Sequence, residues 1–481
     1  MSLGDPLYFL FLGATFLLYY MLRPGAPRRI LLLAASYFFY FELATVYLAV
    51  LLFVTFVTYR GAQWMRAAEA GPNGSRRFWL AIVLAVSPLL LVKYVVALLP
   101  LATRTDFLLL ALPIGISFFT FAALGYLIDV HLEVVEPEPD FCRFALFLGF
   151  FPIVSSGPIE RAGSLLPQFD LTNNFSAERA LAALRLIFVG LILKLYFASY
   201  LEVPADGVFA VPANYPPISR LTGVIFYAFS LYADFAGYTL IAIGSARLLG
   251  LEVRPNFQQP FLSTSVPEFW RNWHISLSSW VRDYLFSPLR MEWRRRPNLG
   301  MAAALMLSFI ILGVWHGAKW GFLIFGAMHG LLVTASTFTR ARRDAFWKAV
   351  RLPPPLLRFQ RTVITFGLVL IPFVVFRAKS LGVAMILYHG IFSLELLRNL
   401  RQTAASCFFH APWLDYRLPN PHMCWGLVAL LIAGDILVRN KITLEVLPRF
   451  LQGALYYLGI IIILNQWISA NGLAPFQYYK F

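Results

Sequence analysis

The chain is 481 residues long, with 59% hydrophobic residues, 13% charged residues and a formal net charge of +16. Soluble globular chains carry about one quarter charged residues. One soluble core could not hide this much apolar surface, so the composition excludes an ordinary soluble domain and points to lipid as the solvent. The positive charge does not mark a nucleic-acid binder. It sits in short clusters between apolar runs: Arg23, Arg28 and Arg29; Arg76 and Arg77; Arg294, Arg295 and Arg296; and Arg340, Arg342, Arg343, Lys348 and Arg351. That is the pattern of cytoplasmic loops under the positive-inside rule, with anionic lipid headgroups as secondary partners.

A spanning helix needs roughly 20 apolar residues. In chain order the candidate runs are 8–22, 30–41, 43–58, 78–101, 107–130, 143–155, 180–201, 219–249, 300–315, 318–338, 359–376, 381–397, 423–438 and 451–469. Runs 30–41 and 143–155 are too short to span alone. We expect an all-α polytopic membrane protein with about eleven true spans, the other runs being re-entrant or interfacial. The N-terminus lacks the basic n-region and small-residue cleavage site of a signal peptide, so 8–22 reads as a retained first segment. The non-apolar stretches 59–77, 131–142, 159–179, 202–218 and 339–358 read as connections. The last contains Pro353-Pro354-Pro355, a local helix stop. The chain therefore reads as one membrane domain, 1–481. It has N-terminal helices in 1–105, a core carrying the chemistry in 106–338 and C-terminal helices in 339–481. Cys142, Cys407 and Cys424 form no close pair, so no zinc site or disulfide framework is inferred, and they read as free buried thiols.

The informative region runs from 230 to 332. An aspartate, Asp234, lies inside the otherwise apolar run 219–249. An acid at membrane depth is costly, and is either functional or paired with an arginine or a helix N-terminus. Next comes the stretch from Pro267 to Tyr284. As one continuous helix it places Trp270, Trp273, Leu277, Trp280 and Tyr284 on one face and Arg271, His274, Ser278 and Arg282 on another. Such a helix lies at the interface or lines a wet cavity. A plain interfacial anchor has the same aromatic stripe with arginine, but His274 is the feature it explains least well.

The basic clusters 290–296 and 340–351 both read as cytoplasmic, so the chain between them crosses the membrane an even number of times. Residues 300–339 hold no charge but Lys319, and two passes of about 17 to 20 residues each just fit. His316 then falls near the far turn, or within the membrane if the passes break there. Gly313, Gly317 and Gly321 favour a break or close helix packing, and leave room for a substrate beside the imidazole.

Seven histidines are present. A lone histidine on an apolar helix is more often a hydrogen-bonded core residue than a catalyst. That reading suits His329, His131, His389, His410 and His422. It suits His316 least, because no neighbouring polar residue explains its cost. Acyl transfer to a hydroxyl needs a base for the hydroxyl proton, and a buried neutral imidazole is suited to the task. There is no GxSxG, HExxH or P-loop, which argues against a serine hydrolase, a zincin and an ATPase.

At these residues the sequence resembles the membrane-bound O-acyltransferase family, in particular the branch of the alginate O-acetyltransferase membrane subunit. The landmarks are Leu112 to Phe121, Ser156-Gly157-Pro158-Ile159-Glu160-Arg161, Leu166-Pro167-Gln168-Phe169, Tyr232 to Tyr238, Asn256-Phe257, Phe269 to Ser276, Trp280 to Tyr284 and Trp315-His316-Gly317. Each is weak alone, but their joint order is a strong signal. The resemblance implies a helical bundle with a funnel or tunnel meeting at a buried histidine. It matches His316 to the family's catalytic histidine and His274 to its second key polar position. It also implies an acyl thioester donor from the cytoplasm, acetyl-CoA first, as co-substrate with no bound cofactor. The acceptor would be an extracytoplasmic polysaccharide hydroxyl or a periplasmic partner protein, at a bacterial inner membrane.

His316 is thus expected to act as general base and His274 to orient the donor or support the oxyanion. Arg271 and Arg282 would attract the donor's phosphates. Asp234, Asn256, Trp273, Trp315 and Ser278 would bind the donor or support the site. Where the family carries Tyr-Ser-Asp this chain reads Tyr238-Thr239-Leu240, and where it carries Pro-Leu-Gly-Gly the chain reads Pro288-Leu289-Arg290-Met291. These departures bear on substrate more than on reaction class. Two other readings stand beside this one: a transporter or flippase with a solute site at mid-membrane, and a non-catalytic scaffold of a polysaccharide export complex.

Overall fold

The computed structural model describes residues 1–66, 72–95, 114–170, 174–393, 421–442 and 446–469. Every regular element among them is helical. Nine of these helices are long and apolar enough to cross a membrane, and three shorter apolar helices, Pro6–Met21, Ile116–His131 and Leu381–Ile391, accompany them. This is a polytopic helical membrane protein, as the composition requires. Run 143–155 is not a span: only Phe141–Gly149 is helical, capped by the Asp140 carboxylate, which accepts from the amides of Cys142 and Arg143. Run 30–41 lies in the 19-residue helix Ala26–Ala44. Run 180–201 belongs to a 34-residue helical stretch, Ala177–Ala210. It widens to π-helical geometry over Ile192–Ala198 and continues past Pro204. Cys424 is buried, but Cys142 is exposed, which corrects the reading of all three thiols as buried. Cys407 and His410 lie outside the described residues.

The chain forms two compact units. The first comprises Met1–Leu191 with Gly237–Asn256. Its core is aromatic: Tyr8, Phe39, Tyr126, Phe144, Phe147, Phe150 and Phe151 are all almost fully buried. Landmarks far apart in sequence meet here. Gly115 sits at φ +86, and a Cβ there would fall 2.3 Å from the Val154 carbonyl oxygen, so only glycine fits. The Ser155 and Tyr238 hydroxyls are 2.5 Å apart. The buried Glu160 carboxylate accepts from the Arg254 amide at 2.7 Å and pairs with its guanidinium at 3.2 Å.

The second unit comprises Ile192–Ala236 and the described residues from Phe257 on. At its centre is a helical hairpin, Pro297–His316 and Trp320–Phe338, joined by residues 317–319. The two passes counted from charge parity are therefore present, and His316 sits at their far turn. The helices approach through glycine. A Cβ on Gly313 would lie 2.3 Å from the Phe322 carbonyl oxygen, and one on Gly326 would lie 2.3 Å from that of Phe309. Small residues allow such contact where lipid supplies no hydrophobic drive. Helix Pro354–Arg377 begins within the proline run and packs on the hairpin. We expect Gly313→Leu to destabilise the protein by about 1–3 kcal/mol through overpacking. A clearly lowered melting temperature in detergent would bear this out; an unchanged one would rule out tight packing at Gly313.

Candidate active site

The stretch from Pro267 to Tyr284 is not one helix, which corrects the sequence reading. Helix Val266–Asn272 starts at Ser265, whose hydroxyl accepts from the Glu268 amide at 3.3 Å. The Glu268 carboxylate reaches back to the Thr264 amide at 2.8 Å and hydroxyl at 2.7 Å. This is a capping-box arrangement shifted by one residue. The helix ends because the Asn272 carbonyl accepts from the Gln258 amide, Trp273 turns extended, and His274 takes a left-handed conformation at φ 44, ψ 55. A second helix, Ile275–Val281, begins at once. Side chains other than glycine occupy the left-handed region at a cost, and such residues cluster at functional sites.

The break turns His274 inward, to 2% exposure. Its ring lies 4.7 Å from the Phe235 ring and 6.3 Å from the Trp315 ring. Burial pushes its pKa down to about 3, so the imidazole is neutral at pH 7. Trp273 is buried in a cluster with Phe257, Phe269 and Phe373, at 5.1, 5.4 and 5.6 Å between ring centres. Ser278 donates to the Trp273 carbonyl at 3.0 Å, which ties the second helix back to the break.

His316 is the last residue of its helix and is 7% exposed. Its ring lies 4.9 Å from Phe376, 5.8 Å from Phe325 and 6.0 Å from Phe322. The three glycines around it do not open space beside the imidazole. A Cβ on Gly317 would meet the Phe322 ring at 2.9 Å, and one on Gly321 would meet the Val375 carbonyl at 2.4 Å. They bring protein walls closer instead. Trp315, next to His316 in the chain, is the ring that faces His274. The structure thus brings together three of the singled-out residues, His274, Trp315 and His316, each at or beside a helix end.

Asp234 is buried and paired with the buried Lys194 at 2.6 Å. The cation it meets is a lysine. Lys194 sits in the π-helical turn, and the neighbour of Asp234, Phe235, is the ring against His274. Arg271 and Arg282 are exposed, and Arg282 pairs with the adjacent Asp283 at 2.8 Å. Asn256 belongs to the first unit, where its amide donates to the Thr239 hydroxyl at 3.4 Å. His329 is a core residue as expected: fully buried, it accepts from the Trp270 indole at 3.2 Å. The sequence reading passed over Lys194 and Asp435, which accepts from the Tyr232 hydroxyl at 2.9 Å. Both are ionisable residues inside apolar runs, and that signal could have found them.

A family model described as MBOAT, membrane-bound O-acyltransferase family, matches residues 32–374. Three curated relatives illustrate the similarity. The probable alginate O-acetylase of Azotobacter vinelandii is 35% identical over 397 residues, covering 80% of this chain and 76% of that protein. The peptidoglycan O-acetyltransferase of Helicobacter pylori is 32% identical over 438 residues, covering 82% and 80%. The teichoic acid D-alanyltransferase of Streptococcus thermophilus is 31% identical over 329 residues, covering 62% and 75%.

Proposed function

The chain belongs to the membrane-bound O-acyltransferase family, and we propose that it moves an acetyl group from a cytoplasmic thioester donor, acetyl-CoA, to an extracytoplasmic polysaccharide hydroxyl. A periplasmic partner protein that passes the group on is the alternative acceptor. The chain is a multi-pass membrane O-acyltransferase. Acetyl is favoured because two of the three relatives above are named for acetyl transfer, and a polysaccharide because alginate and peptidoglycan are both named as what they modify. With these acceptors the membrane is a bacterial cytoplasmic membrane.

The observation that carries the reading is the pair of buried imidazoles at helix ends, with Trp315 facing one and preceding the other. In the proposed reaction unprotonated His316 takes the proton of the acceptor hydroxyl as its oxygen attacks the thioester carbonyl. A C–O bond forms, the carbon–oxygen double bond opens to an oxyanion, and an N–H of neutral His274 donates to that oxyanion. The oxyanion collapses, the C–S bond breaks, and the departing thiolate takes the proton back from His316. Protons and electrons balance with no resident cofactor. Arg271 and Arg282 attract the donor's phosphates. Trp273 and Ser278 hold the break, Trp315 packs beside both imidazoles, and the Lys194–Asp234 pair holds Phe235 against His274. Asn256 supports the fold of the first unit.

The test uses membranes supplied with radiolabelled acetyl-CoA, with label followed into polymer, protein and free-acid fractions. Label in polymer or protein is the expected result. Transfer from longer acyl-CoA alone would overturn the acetyl assignment, and transfer from no thioester would remove the proposed donor.

A further inference from the structure

Helices Leu48–Arg66 and Pro72–Leu90 of the first unit form a pair that packs closely where Gly61 meets the Ala81 methyl group. Beside that contact is an open cavity of about 490 Å³ lined by Phe56, Val57, Arg60, Trp64, Ala81 and Leu84 among others. Phe56, Trp64 and Leu84 are 58%, 43% and 40% exposed, so the groove opens on the surface that faces lipid. The end of the pair that carries Arg60, Arg66, Arg76 and Arg77 is the cytoplasmic end by its charge.

The cations at this end differ in what they bind. Arg66 pairs with Glu136 at 3.0 Å. Arg77 donates to the Trp64 carbonyl at 2.8 Å and lies over the Trp64 ring at 5.0 Å. Arg60, by contrast, has no hydrogen-bond or ion-pair partner among the described residues, and it is exposed. It lies six residues before the helix end, about 9 Å along the axis. Helical side chains lean toward the N-terminus, here toward the bilayer centre, so Arg60 must reach back against that lean to meet an anion. A guanidinium at this depth on a lipid-facing surface is costly unless an anion meets it. The anion abundant at that level is the lipid phosphate.

We propose that this groove is a binding site for one anionic phospholipid. Arg60 holds the phosphate, Trp64 stands beside the headgroup, and one acyl chain runs along Phe56, Val57, Ala81 and Leu84. Arg77, bonded to Trp64, keeps the indole in place, and exposed Arg76 adds the positive field that favours an anionic over a zwitterionic headgroup.

The experiment compares the full chain with Arg60→Leu and Leu84→Trp by native mass spectrometry from a mild detergent, after exchange into a phosphatidylglycerol–phosphatidylethanolamine mixture. The wild type is expected to retain phosphatidylglycerol in preference to phosphatidylethanolamine. Arg60→Leu should lower that retention about five-fold, the loss of one cation–headgroup attraction. Leu84→Trp, which fills the apolar part and leaves the cation, should lower retention of both lipids. Soluble glycerol 3-phosphate should displace nothing, since it lacks the chain. Equal phosphatidylglycerol retention by wild type and Arg60→Leu would overturn the proposal. Displacement by glycerol 3-phosphate would overturn it too, by showing a site for soluble phosphate.

Discussion

His316→Ala is expected to reduce acetyl transfer by about 10²–10⁴-fold, the contribution of a positioned general base. The substitution also empties a site walled by Phe322, Phe325 and Phe376, so part of the loss could come from collapse of that cage. His316→Gln separates the two effects. Glutamine fills much of the volume and hydrogen-bonds, but it cannot take the proton at neutral pH. Both variants should therefore lose turnover to a similar degree, while the glutamine variant keeps nearly wild-type yield and melting temperature. The radiolabel assay on membranes with matched expression decides it. A glutamine variant within a factor of ten of wild type would remove His316 as the base.

The second large effect concerns stability. Lys194 and Asp234 are 6% and 5% exposed at their side chains and lie 2.6 Å apart. Removing one partner of a buried pair strands the other charge, at a cost of about 3–5 kcal/mol. Asp234→Ala and Lys194→Met are each expected to lower folded yield and melting temperature strongly. The double variant Lys194→Met, Asp234→Leu should recover most of the loss, because apolar residues of similar size can replace a buried pair at little cost. A double variant as unstable as either single one would show that the charges do more than neutralise each other. Phe235 adjoins Asp234 and touches His274, so transfer by the single variants should fall along with stability.

Much of this was legible in the residues because lipid leaves the chain few choices. Apolar runs of span length must become helices, and basic clusters must stay on one side. Together those two constraints were enough to place the 300–339 hairpin, with His316 near its turn or at a break within the membrane. The helix break at His274 was hidden. Its cause is a long-range hydrogen bond, from the Gln258 amide to the Asn272 carbonyl, and helical periodicity across 267–284 contains no trace of it.

What the sequence determined by itself is the solvent, the helical class and the hairpin between the two basic clusters. These follow from composition, charge placement and residue type, which are local properties. Tertiary structure alone decided the rest. It pairs Asp234 with Lys194, forty residues away. It uses Gly313, Gly317 and Gly321 to close space around His316 rather than open it. It turns His274 inward beside Trp315. Each depends on which surfaces meet. In a bundle whose faces are nearly all apolar, that choice is made by glycine contacts, ring packing and a few buried charges summed over the whole fold, not by any one segment.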